Sequence, residues 1–458
     1  MVTLTKHQTD CLLALESIGK KIGRVNLRGL AGTGKTTCLI ELARRHQYEK
    51  LAIVAPTNRA VAVLGAKLRE AGIQIQPTTV HRFLYTPTYA PEFAEIKSLV
   101  ARYLTLESET SREWVANQIV DYCTEFKLKP GRVRSVLDRH PKIAPEIGMR
   151  LFGVRPGAYL RWRLRSDAYH ADIILCDESS LLREEDLRCL RDKTDLIYTI
   201  GDHGQLGPVR SEKERAAGAS YKTVLEDGSI SVDLTEVHRQ KGSLLAQANR
   251  IRQGGGIHPV LDIESRPYAC AQELLRAPLL VWTNRERIHV NTLVREALGY
   301  SEAPVPGEPL ICYTPRSRDP FYRNSWWTVV ERTEDDRYLL LSEDGCLQQS
   351  THLSLFDGVQ PWSSADDLPQ DNDDDDDDGE PDSEASECIE FRFGYASTVH
   401  CAQSSEWPRI FISRASINQI NRRGANQEER KRWNYTAVTR AREKVIIIES
   451  TKAILDGA

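Results

Sequence analysis

Short apolar runs separated by polar segments of helical spacing recur along the chain. LAIVAP (51–56), DIILCDE (172–178) and DLIYTIGD (195–202) read as strands buried on both faces of a parallel sheet. With the segments between them they form βαβ units, which predict an α/β core over residues 1–85 and 166–225. PLLVWT (278–283), RIFIS (409–413) and KVIIIES (444–450) repeat the pattern and predict a second core over 226–299 and 396–458.

Two stretches interrupt these cores. In residues 86–165 the front half carries Phe93, Ile96, Leu99, Val100 and Tyr103 at helical spacing. The back half, 126–165, holds eleven Lys or Arg and two acids, so the expectation is a basic, mostly helical insertion. Residues 300–365 differ: WWTVVERTEDDRYLLLSEDGCL alternates like antiparallel strands, and Asp344-Gly345 is a hairpin turn signal. A small β-barrel or sheet is expected there. The tail that follows, PQDNDDDDDDGEPDSEASE within 366–395, cannot bury a core and is expected to be a disordered acidic loop.

Composition sets the class. The 458 residues are 40% hydrophobic and 28% charged, ordinary for a soluble globular protein of several domains. No apolar run approaches the ~20 residues of a membrane span, and MVTLTKHQTD shows no cleavable apolar core. A cytoplasmic protein without a membrane partner is expected. Ten cysteines lie no closer than 13 apart and form no CxxC or zinc spacing, so they are read as reduced thiols. The net charge of -4 is misleading, because residues 366–390 hold fourteen acids and no Lys or Arg. Outside that stretch 61 basic residues face 51 acidic ones, a net of +10, which suits a phosphate-backbone binder.

The chemistry begins at GLAGTGKT (29–36), which fills every fixed position of GxxxxGK[ST] between the apolar strand RVNL and the helix TTCLIELARR. Gly29, Gly32 and Gly34 let the backbone curl so that its N–H groups, through Ala31 and Thr33 as well, face phosphates. The helix from Lys35, Thr36 and Thr37 adds its positive end. Lys35 is expected on the β- and γ-phosphates of ATP and the Thr36 hydroxyl on Mg2+. Asp177-Glu178 ends a parallel strand, where side chains point into the nucleotide crevice. Asp177 is expected to hold Mg2+ and Glu178 to orient or deprotonate the attacking water. The bland alternative for the pair is a helix cap.

These motifs resemble superfamily 1 helicases, and the RecD/Dda-type branch best, in order and over roughly 250–300 residues covering both α/β cores. The resemblance implies two RecA-like parallel-sheet cores of the phosphate-loop fold. In LTKHQ (4–8), Gln8 takes the place of the adenine-reading glutamine. APTNRAV (55–61) and TVHRFL (79–84) resemble motifs Ia and Ib, and GDHGQLGPV (201–209) resembles motif III, with Gln205 sensing the γ-phosphate. LTEVHRQ (234–240) resembles motif IV, with Arg239 as an arginine finger, and VWTNRERIHVN (281–291) the next element of the second core. STVHCAQSSEW (397–407) resembles motif V, with Glu406 among the nucleotide contacts, and YTAVTRAREKVII (435–447) motif VI, with Arg440 as second finger. Two departures stand out: Gly207 where the family carries proline, and Ser404 where it carries glycine. They bear on coupling between the cores more than on hydrolysis.

Physics supports the same assignment. Phosphoryl transfer needs charge stabilisation more than covalent chemistry. The first core lacks a cation for the far side of the γ-phosphate, and Arg239 and Arg440 can supply it from the second. Nucleotide would then join the cores and hydrolysis release them. Thr57, Asn58, Thr79, His81, Thr398 and His400, short polar residues just after predicted strands, are candidate contacts to single-stranded DNA. Turn capping is their alternative reading. Tyr159, Trp162, Arg161, Arg163 and Arg165 interleave aromatics with arginines, which fits stacking on bases or a solvated face alike.

The expected function is an ATP-dependent DNA helicase acting on single-stranded DNA and single-strand/duplex junctions in replication, recombination or repair, with 5′-to-3′ movement implied by the resemblance alone. An RNA helicase of the same superfamily and a nucleotide-gated adaptor without unwinding activity remain as alternatives. ATPase stimulation by RNA against DNA separates the first, and strand displacement the second. A protein partner could meet 86–165 or the acidic loop, whose default reading is a spacer.

Overall fold

The computed structural model describes residues 4–89, 95, 98–99, 101–103, 105–125, 160–165, 170–208, 222–238, 242–301, 303–314, 321–333, 337–343, 345, 348–355, 388–422, 427–451 and 454–455, and it resolves the apolar runs into two parallel sheets. In chain order β1 (Arg24–Gly29), β2 (Leu51–Ala55) and β3 (Thr78–Thr79) come first. An antiparallel ribbon follows, β4 (Tyr85–Tyr89) with β5 (Leu160–Leu164). The chain then returns as β6 (Ala171–Cys176), β7 (Thr194–Gly201) and β8 (Ser231–Leu234). The six parallel strands of the first sheet lie in the order β3-β2-β6-β7-β1-β8.

Alternate residues of one strand serve opposite faces, which is why these strands read as unbroken apolar runs. Leu51 and Ile53 pack with α1 (Lys6–Ile22), α2 (Lys35–Arg45) and α3 (Asn58–Glu70). Ala52 and Val54 pack with α4 (Val80–Leu84) and the helix Glu184–Arg191 on the other side. Each large aliphatic buried this way contributes roughly 2 kcal/mol relative to exposure.

The second sheet starts with β9 (Ile263–Arg266), while β10 (Ala269–Cys270) pairs elsewhere and β11 (Leu279–Val281) is central. An excursion follows as β12 (Pro309–Thr314), β13 (Trp326–Arg332), β14 (Tyr338–Ser342), β15 (Gln348–Leu355) and β16 (Cys388–Phe393), which close into a barrel. The sheet is completed by β17 (Ala396–Thr398), β18 (Trp407–Ser413) and β19 (Ala441–Ile448), in the parallel order β17-β11-β18-β19-β9. β20 (Ile454–Leu455) pairs with β10. Leu280, Ile410, Ile412, Val445 and Ile447 bury against the helices Gly242–Arg252, Arg414–Arg422 and Gln427–Val438. Leu279, Val281, Phe411 and Ile446 face the helix Asn284–Ala297 and share one core with the barrel's Leu310, Trp327, Leu340 and Phe391.

The α/β class with two parallel RecA-like cores therefore holds, with differences at the seams. β8 pairs with β1, so the first sheet runs to Leu234 and not to 225. Its four residues alternate too briefly to be assigned to a sheet from sequence. β16 lies within the stretch expected to belong to the acidic loop, yet it pairs with β12 and β15 and closes the barrel. The adjoining acidic run masks the alternation of CIEFRF. The base of the first insertion is the β4–β5 ribbon, whose partners lie too far apart in sequence for local spacing to join them. Beyond it the helix Glu109–Glu125 is described, packed through Val115, Ala116 and Ile119. Residues 126–159, the run 356–387 and thus most of the expected acidic loop lie outside the described residues. Among the described residues no helix is long and apolar enough to cross a membrane.

One buried carboxylate ties the barrel to the second core. Glu308 is 0% exposed, receives Arg295 Nε at 2.9 Å and Val305 N at 2.6 Å, and accepts the Tyr395 hydroxyl. Removing it takes the carboxylate partner from the largely buried Arg295 guanidinium, which keeps the carbonyls of Ser301 and Ala303. Glu308→Ala should cost about 3 kcal/mol, read as a lower urea midpoint for the transition reporting the tryptophans of the barrel; an unchanged midpoint would remove Glu308 from the set of structural anchors.

Candidate functional site

β1, β2, β6 and β7 run parallel, so their carboxyl ends open on one edge of the first sheet. The chain leaves β1 through Gly29–Gly34 into α2. Gly32 and Gly34 take φ of +82° and +83°, a region glycine enters without a Cβ clash. At Gly34, the N-cap of α2, a Cβ would lie 2.3 Å from Gln8 Nε2. Gln8 closes over the loop: its Nε2 donates to Thr33 O at 3.2 Å, while its Oε1 accepts from Thr5 N in the capping box of α1. The buried Thr33 hydroxyl donates to Leu30 O at 2.9 Å. Lys35 folds back on the same loop and donates to Gly29 O at 3.0 Å and Leu30 O at 2.9 Å. Thr36 and Thr37 are half-buried in the first turn of α2.

Asp177 and Glu178 leave β6 beside this loop. Asp177 is buried, donates its N–H to Val54 O at 2.9 Å and accepts Glu178 N on Oδ1 at 3.0 Å. Burial, and then the neighbouring Glu178, hold its carboxyl well above the usual carboxylate range, with Lys35 among the groups pulling it back. Glu178 sits at φ +47°, a left-handed conformation that costs a non-glycine residue about 1 kcal/mol or more. The Thr36 hydroxyl and the Asp177 carboxylate are hard oxygen donors of the kind Mg2+ takes.

β7 ends at Gly201, and the next residues meet the second core. Asp202 is fully buried: Oδ1 accepts Gly204 N at 2.9 Å, while Oδ2 accepts Gln205 Nε2 at 3.3 Å and the Tyr435 hydroxyl at 2.9 Å. Tyr435 lies on the helix Gln427–Val438, and its hydroxyl also accepts Ala31 N of the glycine-rich loop at 3.2 Å. One turn earlier Arg432 donates to His203 O at 2.8 Å and Gln205 O at 3.1 Å, and pairs with Glu226. Thr436 Oγ1 accepts Leu206 N at 3.0 Å. Leu30 and Leu206 add apolar contact to the second core. The His238 N–H donates to Gly32 O at 2.8 Å; Arg239, the residue after it, lies outside the described residues.

Arg440 is placed within its own core. Its Nε donates to Thr436 O and its Nη1 to Ser405 O, both at 3.1 Å, and its Nη2 donates to Thr439 Oγ1 at 3.3 Å. Glu406 pairs with Arg442 at 2.8 Å. Ser404, where related motifs carry glycine, takes φ +63°, so the serine occupies a backbone shape glycine would adopt more cheaply. Gly207 is buried in the 202–208 turn.

The candidate DNA contacts all sit at the carboxyl ends of strands. Thr57 caps α3 by accepting Ala60 N at 3.2 Å, and Asn58 is the first residue of that helix. Thr79, fully buried, caps α4 by accepting Arg82 N at 3.1 Å, and His81 lies 5.7 Å from the Tyr85 ring. Thr398 is buried and accepts Cys401 N at 3.3 Å, with His400 half-buried in the same turn. In the basic ribbon Arg163 and Arg165 are exposed, while Tyr159 lies outside the described residues. Sequence reasoning singled out none of Asp202, Arg432, Tyr435 or Thr436. The available signal was polar residues within WNYTAV, a stretch of helix buried on every side.

The buried charge of Asp177 has a measurable consequence. Its folded value lies above the unfolded one, so stability is lost as pH rises between the two. Asp177→Asn removes that loss. The variant should melt higher than wild type, with a gap widening from about pH 4 to about pH 7. A gap independent of pH would rule out the buried charge as its cause.

Comparison with known proteins bears on this arrangement. The family model described as AAA domain matches residues 3–264, and that of the UvrD-like helicase C-terminal domain matches residues 393–448. Among solved structures, two coordinating Pif1 helicases unwinding forked dsDNA supply a chain 14% identical, covering 99% of this chain and 94% of that one at a TM-score of 0.50. The Bacteroides Pif1 helicase in complex with ADP-AlF3 and ssDNA is 15% identical over 99% and 95% at 0.49. The Candida albicans Pif1 helicase is 13% identical over 99% and 96% at 0.49. At 14% identity the first of these speaks for the fold alone. No curated protein matches the chain. With the first family model spanning more than half of its length, the chain belongs to the AAA-domain family, and behind that domain it carries a match to a UvrD-like helicase C-terminal domain.

Proposed function

We propose that this protein is an ATP-dependent DNA helicase that translocates 5′ to 3′ on single-stranded DNA and opens duplex at single-strand/duplex junctions. The observation that carries the reading is the contact between the glycine-rich loop of one core and the helix Gln427–Val438 of the other, through Ala31 and Tyr435. A phosphate chain in that loop lies against the seam between two rigid sheets. Filling and emptying the loop then changes the relation of the cores, which is the stroke a motor needs.

In this reading Lys35 leaves the carbonyls of Gly29 and Leu30 for the more strongly accepting phosphate oxygens. Thr36 and Asp177 would hold Mg2+, which would supply charge neutralisation at the phosphates. Glu178 orients the attacking water, Gln205 senses the γ-phosphate, and Gln8 reads adenine beside the loop it already braces. Gly29, Ala31, Gly32, Thr33, Gly34 and Thr37 complete the phosphate cradle, with Glu406 at its far side. Arg239 and Arg440 are the cations brought by the second core; Arg440 turns from Ser405 O toward the phosphates as the cores close.

The DNA path follows the carboxyl edges of both sheets. Thr57, Asn58 and His81 on the first core, and His400 on the second, reach the strand. Buried Thr79 and Thr398 act by fixing the turns that present backbone N–H groups to phosphates. The net of +10 outside the acidic run supports a polyanionic partner. The Pif1 helicases of similar fold act at forked dsDNA, and a fork is the substrate proposed here, in replication, recombination or repair. A protein partner would meet 86–165 or the acidic run.

The test is ATP-dependent strand displacement on two partial duplexes, one with a 5′ and one with a 3′ single-stranded tail. Opening of the 5′-tailed duplex alone is expected, and Lys35→Ala should lose it together with ATP hydrolysis while keeping its fold. Opening of the 3′-tailed duplex alone would reverse the polarity. Greater stimulation of ATPase by RNA than by DNA of the same sequence would move the substrate to RNA.

A further inference from the structure

We infer that Tyr435 is a positioning residue for ATP hydrolysis: through its hydroxyl it holds the phosphate loop at Ala31 and the γ-phosphate-sensing Gln205, by way of Asp202, in one fixed frame carried by the second core. The inference rests on the motor reading above and gives a role in turnover to the residue through which the two cores touch at the loop.

The geometry is a chain of hydrogen bonds with no break. Ala31 N donates to the Tyr435 hydroxyl at 3.2 Å, the hydroxyl donates to Asp202 Oδ2 at 2.9 Å, and the same oxygen takes Gln205 Nε2 at 3.3 Å. The second oxygen of Asp202 takes Gly204 N at 2.9 Å, which fixes the carboxylate plane. Tyr435 is 1% exposed and Asp202 0%, so water does not stand in for either partner. Burial keeps the phenol protonated, with the Asp202 charge acting in the same direction. The hydroxyl is therefore a permanent donor to the carboxylate and a permanent acceptor for the loop. Glycine at 204 makes room for the ring: a Cβ there would stand 3.3 Å from Tyr435 Cε1.

The frame is stiff because the helix carrying Tyr435 is held at two further points. Arg432 takes the carbonyls of His203 and Gln205, and Thr436 takes the N–H of Leu206, so three side chains of that helix grip residues 202–206. Of these three, Tyr435 is the one bonded to the glycine-rich loop as well. A movement of the second core is thereby transmitted at once to the loop backbone and to Gln205. Without the hydroxyl the packing remains, but Ala31 and Gln205 lose their common reference. Ground-state nucleotide binding, which rests on Lys35 and the rest of the loop, is then little altered. The transition state, which needs Gln205 and the loop in register, is destabilised.

Tyr435→Phe keeps the ring and deletes the hydroxyl. In DNA-stimulated ATPase assays kcat should fall about tenfold or more, with KM for ATP and the Kd for a non-hydrolysable ATP analogue within about twofold of wild type. Asp202→Asn, which keeps the shape and removes the charge, should give the same split. The double variant should be no slower than the worse single one, since both break one relay. Asp202→Asn carries the test alone if Tyr435→Phe melts below the assay temperature. Wild-type kcat in both variants would overturn the inference. So would a loss seen equally in KM and Kd, because that would make Tyr435 a mere support of the binding loop. Failure of the motor reading registers elsewhere: it would appear as wild-type ATP turnover that Lys35→Ala leaves intact.

Discussion

A carboxylate cut off from water must find every partner within the protein, and Asp202 finds its partners on two cores. Its oxygens take Gly204 and Gln205 from the first core and Tyr435 from the second. An isolated buried charge would be costly enough to forbid this arrangement, so the seam is stable only with both cores in place. The glycine-rich loop joins the seam through Ala31, and the 202–206 turn joins it through Gln205 and the grip of Arg432. A polar network closed to water thus lies between the cores where nucleotide chemistry is proposed. For the motor proposed here this placement matters, because the loop that would hold the phosphates is in direct contact with the second core.

The β-barrel illustrates how an insertion can belong to two bodies. Its interior is continuous with the second sheet, and Glu308 locks it there through Arg295 and Tyr395. From the opposite direction Arg59 of α3, buried, pairs with Glu343 and donates to Asn324 O at 3.3 Å. Arg59 directly follows Thr57 and Asn58, the residues proposed to reach DNA. The barrel therefore sits over the start of α3 and shapes the approach to the edge of the first sheet. Its bond to the second core is an extended apolar core, while among the described residues its polar bonds to the first are one ion pair and one hydrogen bond. Of the two, the latter is the cheaper to break during a stroke.

Local chemistry was legible from residue order alone. The glycine-rich loop, the acidic pair after β6 and the buried strands of both sheets are encoded by spacings of a few residues, because phosphate cradles, strand ends and buried strands each demand particular side chains at fixed offsets. The positions of Gly34, Lys35, Asp177 and Gln205 around one edge follow from those offsets and the parallel order of strands. Other features depend on contacts between distant residues. β8 joins the first sheet, β16 closes the barrel after the acidic run, and the β4–β5 ribbon pairs residues on either side of the first insertion. Tyr435 meets Ala31 across 404 residues of sequence. Periodicity reports which face of an element is apolar, and says nothing of which distant element will cover it. The sequence by itself thus determined two α/β cores and the groups that can act on a phosphate chain. Only tertiary packing decided that those groups are framed by a tyrosine of the other core, because a buried hydrogen bond is specified by where two surfaces meet and not by the spacing of either.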